Sequence, residues 1–465
     1  MSLGFRSFPS SNLSLCVLPT EFLLLAVPVF LGLFLLDSLV PILKSVRCLL
    51  LDDAVAIYPR HGPESHLSIF DIINRDKNEG DTKERSTLKQ DKEKTDVILG
   101  ILKDKNLNEK LKREELEKLG CEKELKGIGS MLGMAIGDAM GARLEFQDVR
   151  YEYEPDEELK DMGTGKGGNF DLEPGQWTDD TSMGLCLADS LIVNNGKFDP
   201  FDLMNRFIAW WRGGYNNAFR YDKHSRHSVG LGGNISMALY RYLQKPEAET
   251  KAGNIYTSGN GSIMRNAAIP ICFHNNIKLA YENAEKQSLT THQGIEAKEC
   301  CSLLTHIIVK IFEGNKLKEI LDTLGETFKT SEKSIEYLAK SIKEEENRDW
   351  DWKKEKYIYS PQRTEQNMGY IGSYAMDNMA MSLHIVYHTN SFKEAIIKAV
   401  NLRGDSDSVA SVVGQIAGAY YPIEEIPSDW IETVNKWDNG EIALRGYILA
   451  RIPYKKSYYK EEQNQ

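Results

Sequence analysis

Two stretches of small residues constrain this chain more than anything else in it. Gly127–Ala142 reads GIGSMLGMAIGDAMGA, and Ser408–Tyr421 reads SVASVVGQIAGAYY. A glycine inside a helix costs about 1 kcal/mol relative to alanine, so several together imply a packing reason. Small side chains let helix axes approach closely, and the two stretches read as the centre of an all-α core. The pattern elsewhere agrees. Met183, Leu187, Ala188, Leu191 and Ile192 recur at helical spacing, as do Met379, Leu383, Val386 and Tyr387. Period-two runs rich in β-branched residues are scarce, so no major sheet is expected.

Composition divides the chain into a hydrophobic leader (1–60), a charged linker with short helices (61–122), a main domain (123–456) and a tail (457–465). Phe22–Leu36 is fifteen uncharged apolar residues, short of the roughly 20 that cross a bilayer. Only Arg6 precedes it as a positive charge, and no small-residue cleavage site follows. A cytoplasmic protein is expected. A signal or anchor within residues 13–43 is the alternative, and the one route to membrane contact. Lys+Arg 57 against Asp+Glu 68 leaves a net charge of -11, which argues against a nucleic-acid partner because no basic face is available to neutralise phosphates. Seven cysteines without a C-x-x-C fit a reducing compartment, and the neighbours Cys300 and Cys301 read as helix packing. A monomer is expected.

Two acidic clusters each stand before a helical pattern: Trp177-Thr178-Asp179-Asp180-Thr181 and Gly404-Asp405-Ser406-Asp407-Ser408. Helix capping accounts for either one alone, since Asp, Ser and Thr satisfy free N–H groups and Asp complements the dipole. The pair is harder to dismiss. Adjacent carboxylates repel unless a cation compensates, and carboxylate plus hydroxyl oxygen is the donor set of Mg²⁺ or Mn²⁺ rather than zinc. If the two helix N-termini converge, four carboxylates with Thr178 and Ser408 supply two such cations. Asp138 and Glu145, after the first small-residue stretch, read alone as a buried hydrogen-bonded residue and a surface residue.

Gly163–Gly168 (GTGKGG) lacks the spacing and Lys-Ser/Thr ending of a phosphate-binding P-loop. Ser258–Ser262 (SGNGS) opens a helix where backbone N–H groups face an anion or simply turn the chain. His384 and His388 share a helix face and read as structural. His292 starts another helix, where capping or burial is the default.

Taken in order, GMAIGDAMGARLEF, PGQWTDDTSM, SGNGSIMRNAAIPI, LTTHQGIEA and AVNLRGDSDSVASVVGQIAGAYY resemble the ADP-ribosylglycohydrolase family over Lys123 to Tyr454. The resemblance implies an orthogonal all-α bundle holding two Mg²⁺ or Mn²⁺ ions in a cleft for ADP-ribose. It implies Thr178, Asp179, Asp180, Asp405, Asp407 and Ser408 as metal ligands, with serines at 406 and 408 where the family usually has threonine. Glu145 and Asp405 are implied as catalytic carboxylates. Gly259, Asn260, Gly261 and His292 are implied against the ribose and phosphates, and Gly369 and Tyr370 near the adenosine. Arg403 departs from the glycine common there. The reaction implied is hydrolysis of the glycosidic bond at the distal ribose, on an ADP-ribosylated protein or a small ADP-ribosyl metabolite. A non-catalytic ADP-ribose binder is the alternative.

Overall fold

The chain is described by a computed structural model for residues 82–152, 154, 156–219, 228–254 and 256–452. The apolar run Phe22–Leu36 and the tail lie outside these residues. Among the described residues no helix is long and apolar enough to cross a membrane.

The charged segment folds into α1 (Thr82–Lys103) and α2 (Glu109–Glu117). It is not solvated on every side. Leu88, Ile98, Leu99, Leu102 and Leu116 join the main core, and Lys112 Nζ donates to Leu102 O at 2.6 Å. Burying one apolar stripe stabilises helices whose other faces are charged.

The first small-residue stretch forms α3 (Glu122–Gly141), in which every residue from Gly127 on is buried. There follow α4 (Asp179–Val193), α5 (Pro200–Gly213), α6 (Gly233–Gln244), α7 (Ala268–Phe273), α8 (Ile277–Leu289) and α9 (Ile295–Phe312). Short helices α10 (Leu317–Asp322), α11 (Leu324–Thr327) and α12 (Lys333–Lys340) lead to an antiparallel pair, β1 (Lys343–Glu345) and β2 (Arg348–Asp349). Then come α13 (Pro361–Asn367), α14 (Ala375–Tyr387), α15 (Phe392–Asn401), α16 (Ser406–Tyr420), α17 (Ser428–Asp438) and α18 (Glu441–Arg451). The fold is all-α, as the patterning implies.

α16 is the second small-residue stretch, buried from Ser406 to Ala419. It crosses α3 backbone to backbone. A Cβ on Gly133 would stand 2.1 Å from Gly414 O, and one on Gly129 would stand 2.0 Å from Gly418 O. Ser406 Oγ donates to Gly141 O at 2.8 Å, closing the contact at the end that carries the acidic residues. α18 meets α3 the same way, through Gly446 against Gly127.

A buried charge network braces the far side. Arg445 of α18 donates to both oxygens of Asp189 in α4, at 2.8 and 3.2 Å, and to Asn216 Oδ1 at 3.2 Å. Asn216 O in turn accepts Trp177 Nε1–H at 3.1 Å, which positions the start of the first acidic cluster. The cysteines Cys121, Cys186, Cys272, Cys300 and Cys301 are free and buried; Cys300 and Cys301 pack within α9.

Candidate metal centre and substrate cleft

Because Gly133, Gly137 and Gly141 let α16 lie on α3, the N-terminus of α16 arrives beside the C-terminal half of α3. Asp138 projects from that half, fully buried, toward the start of α4. It accepts Thr178 N–H at 3.0 Å, Thr178 Oγ1–H at 2.9 Å, Thr181 N–H at 2.9 Å and Thr181 Oγ1–H at 2.6 Å. Asp138 therefore caps α4 from forty positions away. Thr178 makes no side-chain cap on its own helix, and neither does Asp405 on α16. Self-capping does not account for the two clusters.

Instead, the clusters face one another. Thr178 Oγ1 lies 3.4 Å from Asp407 Oδ2, and Ser408 Oγ lies 3.3 Å from Asp180 Oδ1, joining segments more than 220 positions apart. Glu145, Asp405 and Asp407 offer carboxylate oxygens within 4.8 Å of one another. Asp405 is half-buried and is held by Asn260 Nδ2–H at 3.0 Å, while Asp179, Asp180, Asp407 and Glu145 are buried. Glu145 Oε2 and Asp180 Oδ2 are buried without a hydrogen-bond partner. Orphaned buried carboxylate oxygens are costly unless a cation takes them up.

The electrostatics say the same. Burial first, then Asp407 and Asp405, pushes the Glu145 carboxyl far up. Burial first, then Asp407 and Asp138, raises Asp180; burial first, then Asp405 and Asp138, raises Asp407. Asp179 is raised by burial and then by Asp138. Folded pKa values above the unfolded ones mean that the folded chain holds more protons. That contribution is fully present below about pH 4 and fades as pH rises through the folded values. In chelator-stripped protein, stability should therefore fall as pH rises from about 5 to about 8, and saturating Mn²⁺ should flatten the slope. Melting temperatures across that range, with and without Mn²⁺, check this; parallel curves would refute it.

The sequence-expected substrate residues collect on one rim. Asn260 N–H donates to Ser373 O at 2.9 Å, and Gly259 pairs with Tyr374, tying the 258–261 loop to the segment after Tyr370. His292 is buried against that loop. A Cβ on Gly261 would stand 2.8 Å from its ring. His292 Nδ1 lies 2.8 Å from Thr291 Oγ1, and burial followed by Arg265 lowers its pKa to about 3, so the ring stays neutral. Gly369 packs on Phe146 O, and the exposed Tyr370 ring lies 5.3 Å from that of Phe146. Gly259 and Tyr370 share a cleft of about 350 Å³ with Arg363 and Tyr374.

Some residues here were not singled out from the sequence. Phe146 adopts φ 64°, and its N–H donates to Gly404 O at 2.8 Å, so the strained turn lies directly after Glu145. Arg265 is a fully buried cation that donates to Gln287, Thr290 and Thr291 and lies near enough to Asp179 to interact with it. The signal for it was in the NGSIMR string, where the loop drew attention and the arginine did not. The GTGKGG stretch does not form a phosphate loop. Gly163 and Gly167 make room for the Arg143 guanidinium, which donates to Gly165 O at 3.1 Å.

The family model of ADP-ribosylglycohydrolases matches residues 122–457. The chain belongs to the ADP-ribosylglycohydrolase family. It is 32% identical over 325 residues to "ADP-ribosylarginine hydrolase Tri1" of Pseudomonas putida (strain GB-1), covering 70% of this chain and 78% of that protein. It is 27% identical to "ADP-ribosyl-[dinitrogen reductase] glycohydrolase" of Rhodospirillum rubrum, covering 67% and 90%. A solved structure titled "ADP-ribosylglycohydrolase-related protein complex" aligns with a TM-score of 0.53 at 28% identity, covering 71% of this chain and 99% of that one. Members of this family are glycohydrolase enzymes, and the acidic cluster described here is able to hold metal.

Proposed function

We propose that residues 123–456 form a catalytic domain that hydrolyses the glycosidic bond at the distal ribose of an ADP-ribosylated protein, using two divalent cations, Mg²⁺ or Mn²⁺. The observation that carries this reading is the meeting of Thr178–Asp180 with Asp405–Ser408 around carboxylate oxygens that have no protein partner. An arginine linkage is the first candidate, because two relatives at 32% and 30% identity are named ADP-ribosylarginine hydrolases. A small ADP-ribosyl metabolite is the other substrate form.

Thr178, Asp179, Asp180, Asp405, Asp407 and Ser408 would hold the cations. When bound, such ions bind ribose hydroxyls, acidify a water and neutralise developing negative charge. The protein does the rest. Asn260 keeps Asp405 fixed at the half-open edge of the cluster, where its other oxygen is able to accept a proton from the attacking water. Glu145, with an unpartnered Oε2 beside Asp405 and Asp407, is the second proton carrier. Neutral His292 and the 259–261 loop line the path of the ribose and phosphates, and Phe146 with Tyr370 offers flat surface for the base.

The test is ADP-ribose release from defined arginine- and serine-linked peptides. With Mg²⁺ or Mn²⁺ present, arginine-linked substrate should turn over, and excess chelator should reduce the rate by at least about 100-fold. Activity indifferent to chelator would reject the metal reading. Binding of ADP-ribose without turnover on any linkage would reject hydrolysis.

A further inference from the structure

A larger cleft, of about 790 Å³, opens between α14, α15 and the segments around 150–158 and 355–358, and shares no lining residue with the acidic cluster. That volume lies in the range that encloses a small-molecule ligand. Its floor is apolar, built from the buried side chains of Met381, Ile385 and Leu402.

Two polar groups interrupt the floor. His384 is 5% exposed and lines the cleft. Its Nδ1–H donates to Trp352 O at 2.9 Å, which leaves Nε2 as a lone-pair acceptor in the neutral ring. Burial lowers its pKa to about 4, so the neutral form persists. Lys398, half-buried on α15, lies near enough to depress it further. Among the described residues no carboxylate pairs with Lys398 within the 4.0 Å of an ion pair.

The charges around the mouth are largely taken. Arg150 pairs with Glu157, Lys356 Nζ lies 3.8 Å from Glu152, and Lys160 Nζ lies 3.5 Å from Glu158. Glu394 Oε2 accepts Asn390 N–H at 2.9 Å. Lys393 and Glu355 are exposed at the rim and opposite in sign. Tyr151, Tyr357 and Ser391 also line the cleft, each already in a hydrogen bond with backbone, which leaves Lys398 and His384 Nε2 over the apolar floor.

We propose that this cleft is a second small-molecule site, for an organic anion that carries a hydroxyl or amino donor besides its carboxylate or phosphate. The anionic group meets Lys398 Nζ, the donor meets His384 Nε2, and the hydrocarbon body covers Met381, Ile385 and Leu402. The cleft wall also touches the acidic cluster through backbone. Arg150 N–H donates to Leu402 O at 2.9 Å, Gly404 N–H to Gln147 O at 2.9 Å, and Phe146 N–H to Gly404 O at 2.8 Å. This ladder starts at the cleft and ends at Glu145 and Asp405, so occupancy should alter the KM of hydrolysis. That consequence rests on the proposed hydrolase reading; binding does not.

Calorimetric titration of the full chain with 3- and 4-hydroxybenzoate, with benzoate, and with glycerol 3-phosphate tests the site directly. A hydroxybenzoate should bind about tenfold more tightly than benzoate, since benzoate leaves His384 Nε2 without a donor. Lys398→Glu and Lys398→Met should each weaken binding by at least about tenfold, with melting temperatures near that of the parent chain. Glycerol 3-phosphate binding alone would identify phosphate as the anion, and hydroxybenzoate binding alone would identify carboxylate; both support the site. No binding of either kind up to about 10 mM, or binding indifferent to both Lys398 variants, would overturn it. A titration that upholds binding while the hydrolase assay fails separates this site from the proposed reaction.

Discussion

Asp407→Asn is expected to abolish hydrolysis while making the chelator-stripped protein harder to melt. Asp407 is 3% exposed; burial first, then the fields of Asp405 and Asp138, raise its pKa, against a hydrogen bond with Glu145 that lowers it. Asparagine has nearly the same shape and still accepts Ser408 N–H, which Asp407 Oδ1 does at 2.8 Å. An amide is neutral at every pH, so folding above about pH 4 no longer requires a proton to be held at this crowded position, a change worth about 1–2 kcal/mol of stability. The same substitution removes a carboxylate from the proposed ligand set, and turnover should fall by at least about 1,000-fold. Added Mn²⁺ should then raise the melting temperature less than in the parent protein, because a ligand stabilises only in proportion to its binding. Paired melting curves and rate measurements decide the matter. A variant that is active, or that melts lower without metal, would contradict this account of the cluster.

Gly414→Val should be the most destabilising single change in the core. A Cβ there would stand 2.0 Å from Gly133 O, with Gly133 C at 2.4 Å and Met134 N at 3.1 Å. All three are backbone atoms, so no rotamer change relieves the overlap and the two helix axes must separate. Replacing glycine inside a helix ordinarily gains up to about 1 kcal/mol. Here the loss should exceed it, with a net cost of at least about 4 kcal/mol, a large share of a typical domain's stability. A fall in melting temperature of about 5 °C corresponds to that cost in a folded unit of this size. Gly100→Ala is the matched control. Gly100 lies in α1 with nothing within 4 Å of its would-be Cβ, so the substitution should stabilise by about 1 kcal/mol. Equal effects at the two positions would show that the α3–α16 contact is looser than its geometry.

Much of the site was readable because its parts lie in short continuous strings. Each cluster brings its own oxygens within a few residues, and the small-residue helices say which elements meet. Other parts were not readable in this way. Asp138 reads as an ordinary buried residue, yet its partners Thr178 and Thr181 lie at the start of a different helix. Self-capping by Thr178 was a sound expectation that a residue forty positions away displaces. The spacing of the GTGKGG stretch argues against a phosphate loop, but only the fold shows that the Arg143 guanidinium packs on Gly163 and Gly167. The charged segment before α3 reads as a linker, because composition does not reveal that Leu99 and Leu102 find a core to enter.

From the amino acids alone came the all-α class, the pairing of two glycine-rich helices, and the donor set suited to hard divalent cations. These are local properties, set by spacing along one helix or by the chemistry of adjacent side chains. Only the folded chain decided that Thr178 and Asp407 stand 3.4 Å apart, that Asp138 serves α4, and that Lys398 and His384 line one cleft. Those relations join residues separated by fourteen to more than two hundred positions. They follow from how closely two helices pack, which depends on every side chain at their crossing.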